Sequence, residues 1–143
     1  MKTKKNLFII LIIAMFSISG CAQTDTPKEL KYSYDLVDNF FLYKSNDDIV
    51  GIAIKSNDSN ENEEKKKIIL ENISKVSWNE NFILAEQIER IQLGKEEKKI
   101  YWIINSNTQQ IYGPNEYEEF NNQRKELNID ENLELKSPDS YKK

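Results

Sequence analysis

The chain has 143 residues with 20 basic and 24 acidic side chains, no histidine and a single cysteine. Lack of histidine excludes the usual serine and cysteine triads, histidine general bases and nearly all zinc sites. Net acidity argues against phosphate-rich partners, so nucleic acid is not expected. The few glycines are too widely spaced for a phosphate-cradling loop, and no cofactor or metal is expected.

The first 20 residues read as an export leader. Lys2, Lys4 and Lys5 form a basic start, residues 7–16 are an unbroken apolar run, and small residues follow. That run is about half the roughly 20 residues a membrane-spanning helix needs. It ends in Ile18-Ser19-Gly20-Cys21, which resembles the lipobox of bacterial lipoproteins: an aliphatic residue, two small ones, then the cysteine that is lipidated. Small side chains suit a peptidase at the membrane surface, and a thiol can take a diacylglycerol as a thioether. Two alternatives are an ordinary cleaved signal with an incidental cysteine and an uncleaved anchor.

On the lipoprotein reading Cys21 is the attachment site, residues 21–31 form the anchor and a polar tether, and the domain faces away from the cytoplasm. The mature 123 residues then contain no free thiol, so a packed core must stabilise them without disulfides. Loss of the leader's three lysines leaves 17 basic against 24 acidic residues, a formal charge of −7.

From there the chain reads as one α+β domain over residues 32–135, followed by a polar tail over 136–143. Tyr32, Tyr34 and Leu36 alternate with polar residues, as on a half-buried strand. A turn at residues 37–39 leads to a strand over 40–44, and a turn at 45–48 to a strand over 49–55. Residues 56–64 (SNDSNENEE) are a solvated loop. Asp58, Asn60 and Asn62 alternate as calcium ligands do, but Glu63 stands where the sharp turn needs glycine and Ile69 where a bidentate glutamate belongs. A calcium loop of that type is rejected.

Residues 67–70 form a short strand leading to 76–78, residues 79–81 a turn and 82–87 the next strand. Residues 94–98 read as a charged reversal, and 100–105 (IYWIIN) as the most apolar strand, paired with 110–112. The halves also match each other weakly. DNFFLYK at 38–44 aligns with ENFILAE at 80–86, and VGIAIKSN at 50–57 with IYWIINSN at 100–107. A duplicated antiparallel meander explains the match; so does the recurrence of turn asparagines and alternating aliphatics in unrelated sheets.

Gly113-Pro114 is expected to end the sheet and Asn115 to start a helix, with Glu118 closing a capping box. Glu116, Glu118 and Glu119 near the start, and Arg124 and Lys125 near the end, suit the helix dipole. Tyr117, Phe120, Arg124 and Leu127 share a face, so Phe120 and Leu127 should anchor the helix on the sheet. Asn128 is the expected C-cap, and Leu133 and Leu135 an edge strand. The expected fold is therefore antiparallel β-meander sheets with one C-terminal helix packed on them.

Adjacent carboxylates at residues 63–64, 96–97 and 118–119 point apart on a strand or helix and do not converge on one substrate. Trp78, Tyr101, Trp102 and Tyr112 fall on strands expected to be neighbours. A platform of such rings suits a sugar or an apolar peptide, while the structural alternative places both tryptophans in the core.

WNENFILAEQ at 78–87, YWIIN at 101–105 and IYGPNEYEEFNNQRKELNI at 111–129 resemble a family of short bacterial lipoproteins that share a domain of unknown function. The resemblance covers most of residues 32–135. It implies lipid anchoring and a single small domain, and carries no activity or catalytic residue. The expectation is a non-enzymatic binding module at the cell envelope, held to the membrane through Cys21 and recognising an envelope protein or glycan. The alternatives are an immunity-type lipoprotein that neutralises a toxin and a hydrolase using carboxylates alone.

Overall fold

The computed structural model describes residues 30–56, 65–91 and 96–141. The leader, Cys21, most of the tether, the polar loop from 57 to 64 and the start of the charged reversal lie outside the described residues. Eight strands form two four-stranded antiparallel meanders: β1 (Leu30–Asp35), β2 (Phe40–Ser45), β3 (Val50–Ser56) and β4 (Lys65–Glu71), then β5 (Ile73–Trp78), β6 (Phe82–Ile91), β7 (Glu96–Asn105) and β8 (Ile111–Asn115). In each sheet the strands lie in chain order. Helix α1 (Tyr117–Glu126) follows, and a short 3-10 turn (Pro138–Tyr141) ends the described chain. The α+β expectation of meander sheets with a C-terminal helix is what the structure shows.

Between the sheets the chain turns on one residue. Asn72 adopts φ 57, in the left-handed region, and links β4 directly to β5. Ile69 on one side and Ser74 on the other are left without a ladder partner, so a bulge flanks the corner in each sheet. Such bends are how one continuous stretch of chain passes between stacked sheets. The core lies between them. Phe40, Leu42, Ile52 and Leu70 from the first sheet meet Ile73, Val76, Ile83, Ala85 and Ile104 from the second.

The second sheet's other face is also apolar. Leu84, Tyr101 and Ile103 lie under Phe120 of α1 and under Ile129 beyond it, with Leu127, Leu133 and Leu135 packed around them. The helix ends as a Schellman turn: Ile129 N–H donates to Arg124 O at 2.9 Å and Asn128 N–H to Lys125 O at 3.1 Å. Asn128, at φ 53, sits one position past the C-cap Leu127.

Several local expectations are corrected. Residues 96–98 are not a reversal but part of β7, paired with β6 as far as Ile91↔Glu96. This arm has no core-like alternation because both its faces meet solvent; opposite charges stand across it at Glu89↔Lys98 and Arg90↔Glu97, and of these only Arg90 and Glu97 come within ion-pairing distance. Gly113-Pro114, a cis peptide, does not end the sheet but lies inside β8, and Tyr101 pairs with Asn115. Asn115 therefore does not cap α1. The N-cap is Glu116, without a side-chain cap bond, and the Asn115 side chain donates to Gln123 Oε1 at 2.9 Å. Leu133 and Leu135 form no edge strand; only Lys136 bridges, exchanging both backbone bonds with Val76 at 2.8 and 3.1 Å. Their side chains are drawn onto the helix side of the sheet, and that removes the alternation a strand edge requires.

Residues 136–141, polar in composition, are held by that bridge and by Tyr141. Its ring lies 4.6 Å from Trp78 and its hydroxyl donates to Val76 O at 3.1 Å.

Candidate binding groove

The face of the second sheet that forms the core continues past Ala85 and Trp102 to the pairs Gln87↔Ile100 and Glu89↔Lys98. Here the first sheet no longer covers it, and the result is a groove. On one side Asp47, Asp48, Ile49 and Val50 of the β2–β3 turn face Ile73, Gln87, Glu89 and Ile100 across a concavity of about 740 Å³. On the other, a concavity of about 650 Å³ runs over Trp102 to Pro114, Glu116 and Glu119. The two share Gln87, Glu89 and Ile100.

Gln87 fixes the floor. Its amide donates to Glu71 O at 2.8 Å, and its carbonyl oxygen accepts from Trp102 Nε1 at 2.8 Å. The indole in turn rests on Gly113, where a Cβ would come 2.7 Å from Trp102 Cε3 and 2.8 Å from Tyr101 O, and φ is +132°. Only glycine suits both the conformation and the approach. Carboxylates form the rim. Lys31 and Lys44 hydrogen-bond Asp48, at 2.7 and 3.2 Å, and hold its carboxyl below the usual range.

The four aromatics expected from the sequence do not form one platform. Trp78 and Trp102 face the core between the sheets, both half-buried. Tyr101 and Tyr112 lie on the opposite, helix-covered face. Of the four, the groove contains only Trp102.

Sequence patterning does not single out Glu86, which is buried on that helix side with 4 % exposure. Its carboxylate accepts from Ser74 Oγ at 2.8 Å and from the Tyr101 hydroxyl at 3.2 Å, while the Lys75 and Lys99 ammonium groups stand 3.8 Å away. Burial, and then the Glu86 charge, push the Tyr101 hydroxyl up. The signal available in the sequence was a lone acid in the apolar run FILAE. A second tyrosine and carboxylate lie on the first sheet: the Tyr43 hydroxyl donates to Glu71 Oε1 at 3.0 Å, and burial followed by that bond raises it well above its ordinary value.

Two stacked antiparallel meanders, a C-terminal helix on the second, and an acid-rimmed groove where they part define a small α+β domain. The chain belongs to the family described as protein of unknown function (DUF3997), whose model matches residues 37–139. No curated protein and no solved structure matches it. Among the described residues, no helix is long and apolar enough to cross a membrane.

Proposed function

We propose that the protein is a lipid-anchored, non-enzymatic binding module on the extracytoplasmic face of a bacterial cell membrane, attached through Cys21. The observation that carries this is the sequence Ile18-Ser19-Gly20-Cys21, in register behind a basic start and an apolar run. Attached acyl chains contribute about 0.8 kcal/mol per buried CH₂, and two or more hold a protein at a membrane stably.

The eight residues between Cys21 and Leu30 span at most about 30 Å when fully extended, so the anchor keeps β1 within that distance of the lipid. Leu30 pairs with Ser45, beside the turn that forms one wall of the groove. The groove thus opens at the tethered end of the domain, where a partner embedded in or bound to the envelope is within reach. The acidic rim also fits the immunity-type reading, in which the module occludes a basic toxin.

Acyl labelling and detergent partitioning of wild type and Cys21→Ala test the anchor. The wild type should take up label and follow the detergent, and the variant should do neither. Label retained by Cys21→Ala, or absent from wild type, overturns the reading. A pull-down from membranes with the same pair then identifies partners that depend on the anchor.

A further inference from the structure

We propose that the groove binds an extended, lysine- or arginine-bearing segment of a partner protein, seated on the β6–β7 floor with its cations against the carboxylate rim. The proposal deepens the binding-module reading and rests on it for where the partner is met.

Charge and shape point the same way. The groove's own cations are engaged: Lys98 Nζ lies 3.2 Å from Glu116 Oε1, and Arg90 Nε 3.9 Å from Glu97 Oε1. Asp47, Glu89 and Glu119 are exposed and have no cation at ion-pairing distance among the described residues. A rim with surplus carboxylates repels phosphates and polyanionic glycans and attracts amines and guanidinium groups.

The floor narrows the choice further. Ile100 and Trp102 are half-buried and apolar, and Ile49 and Val50 line the first concavity together with Ile100. A bare inorganic cation has no use for that surface. Lysine and arginine do, because their methylene stems cover apolar groups while the charged end stays at the polar margin, and a guanidinium can also stack on an indole.

Length favours a chain. The two concavities each lie within the roughly 300 to 1,000 Å³ of a small-molecule site, and they adjoin, with Gln87, Glu89 and Ile100 lining both. Since Gln87 is tied at both ends, to Glu71 and to Trp102, the floor needs little ordering on binding.

The test is a fluorescence-anisotropy titration of the full-length protein in detergent with a labelled, end-capped peptide of alternating lysine and alanine. The same peptide with glutamate for lysine serves as the comparison. Asp47→Asn with Glu89→Gln should weaken the lysine peptide by about tenfold, as expected for two partly screened charge contacts. Glu131→Gln with Glu134→Gln removes the same charge at residues that do not line the groove and should leave affinity within about twofold. Lys98→Ala should tighten binding, a change that loss of fold does not produce.

Equal weakening by both double variants, which would mean attraction to net charge alone, overturns the proposal. So does an unchanged affinity in the groove variant, binding of the glutamate peptide as tight as that of the lysine peptide, or displacement by free spermine at the same concentration of charge. None of these measurements uses the anchor. Their failure leaves the Cys21 reading standing, and failure of acyl labelling leaves the titration interpretable.

Discussion

The two sheets have the same strand order, yet residues that match along the sequence point to opposite sides. Phe40 and Leu42 face the core between the sheets, whereas their sequence counterparts Phe82 and Leu84 lie on the helix side. The cause is one residue in a turn. Residues 36–40 separate the pair Asp35↔Phe41, but only 79–82 separate Trp78↔Ile83. Side chains alternate with a period of two, so a turn shorter by one flips every side chain of the strand that follows.

Ile54 and Ile104, the matched residues on the next strands, both still face the core. The repeat is therefore one of topology, and the residue matches between 38–44 and 80–86 do not survive as structural equivalences. Composition of the outer faces then decides what covers each sheet. The second offers Leu84, Tyr101 and Ile103 to the helix. The first closes in part on itself: Tyr43 lies across Gly51, and the Lys55 and Lys66 ammonium groups sit 5.9 and 5.6 Å from the Phe41 ring centre.

The largest effect should come from removing the cover of the second sheet. Phe120→Ala deletes a fully buried ring and should destabilise by about 3 to 5 kcal/mol in urea unfolding. Hydrogen exchange sharpens the contrast. Amides of α1 and β8 should lose protection first, while those of β2 and β3 keep theirs; uniform loss would mean that the helix supports both sheets equally.

Next comes a feature both sheets share, a ring laid on a glycine of the neighbouring strand. Alanine at Gly113 would meet backbone as well as Trp102, at a φ of +132°, and should cost about 2 to 4 kcal/mol. At Gly51 the nearest atoms to the added Cβ are all in the Tyr43 side chain, from 2.5 Å, and displacing that ring strains no backbone, so Gly51→Ala should cost about 1 to 3 kcal/mol. Reversal of this order in thermal unfolding would contradict the assignment of Gly113 as a backbone requirement.

Much of this architecture was legible in the sequence, and the misses have physical reasons. Alternation at Tyr32 and Tyr34, the turns at 37–39, 45–48 and 79–81, and the face defined by Phe120 and Leu127 gave the meanders and the helix. The β6–β7 arm was hidden because exposed cross-strand charge pairs mimic a loop. Pro114 was hidden by its own propensity: proline is confined to sheet edges and bulges, and β8 is an edge strand bulged at that point. The groove could not be read at all. Asp47 and Glu89 are far apart in the chain and are brought to one cavity only by stacking of the sheets.

Smaller effects test the two pairs of a buried tyrosine with a carboxylate. Glu86→Gln keeps the shape but weakens the contacts with Ser74, Tyr101 and the two lysines, and should destabilise by about 1 to 2 kcal/mol. Lys75 and Lys99 are half exposed and screened, so Lys99→Ala should cost less than half as much in the same assay.

Tyr43 gives the smallest effect at neutral pH and the largest dependence on pH. Removing its hydroxyl in Tyr43→Phe deletes the bond to Glu71 and should cost about 1 kcal/mol at pH 7. Burial raises the folded-state value of this group above the ordinary value near 10, and Tyr101 and Tyr141 are raised as well. The protonated form is thus favoured in the folded state. Its stabilisation is complete below about pH 10 and declines above it, by up to about 1.4 kcal/mol per pH unit for each such tyrosine, as the unfolded chain ionises first. The informative quantity is the difference between wild type and variant, in which every group the two proteins share cancels. Tyr43→Phe should show the shallower alkaline decline, and the gap between the two proteins should close as pH rises. Parallel decline in both would place the tyrosine of the first sheet in contact with solvent, and the self-closure of that outer face would then lose its support.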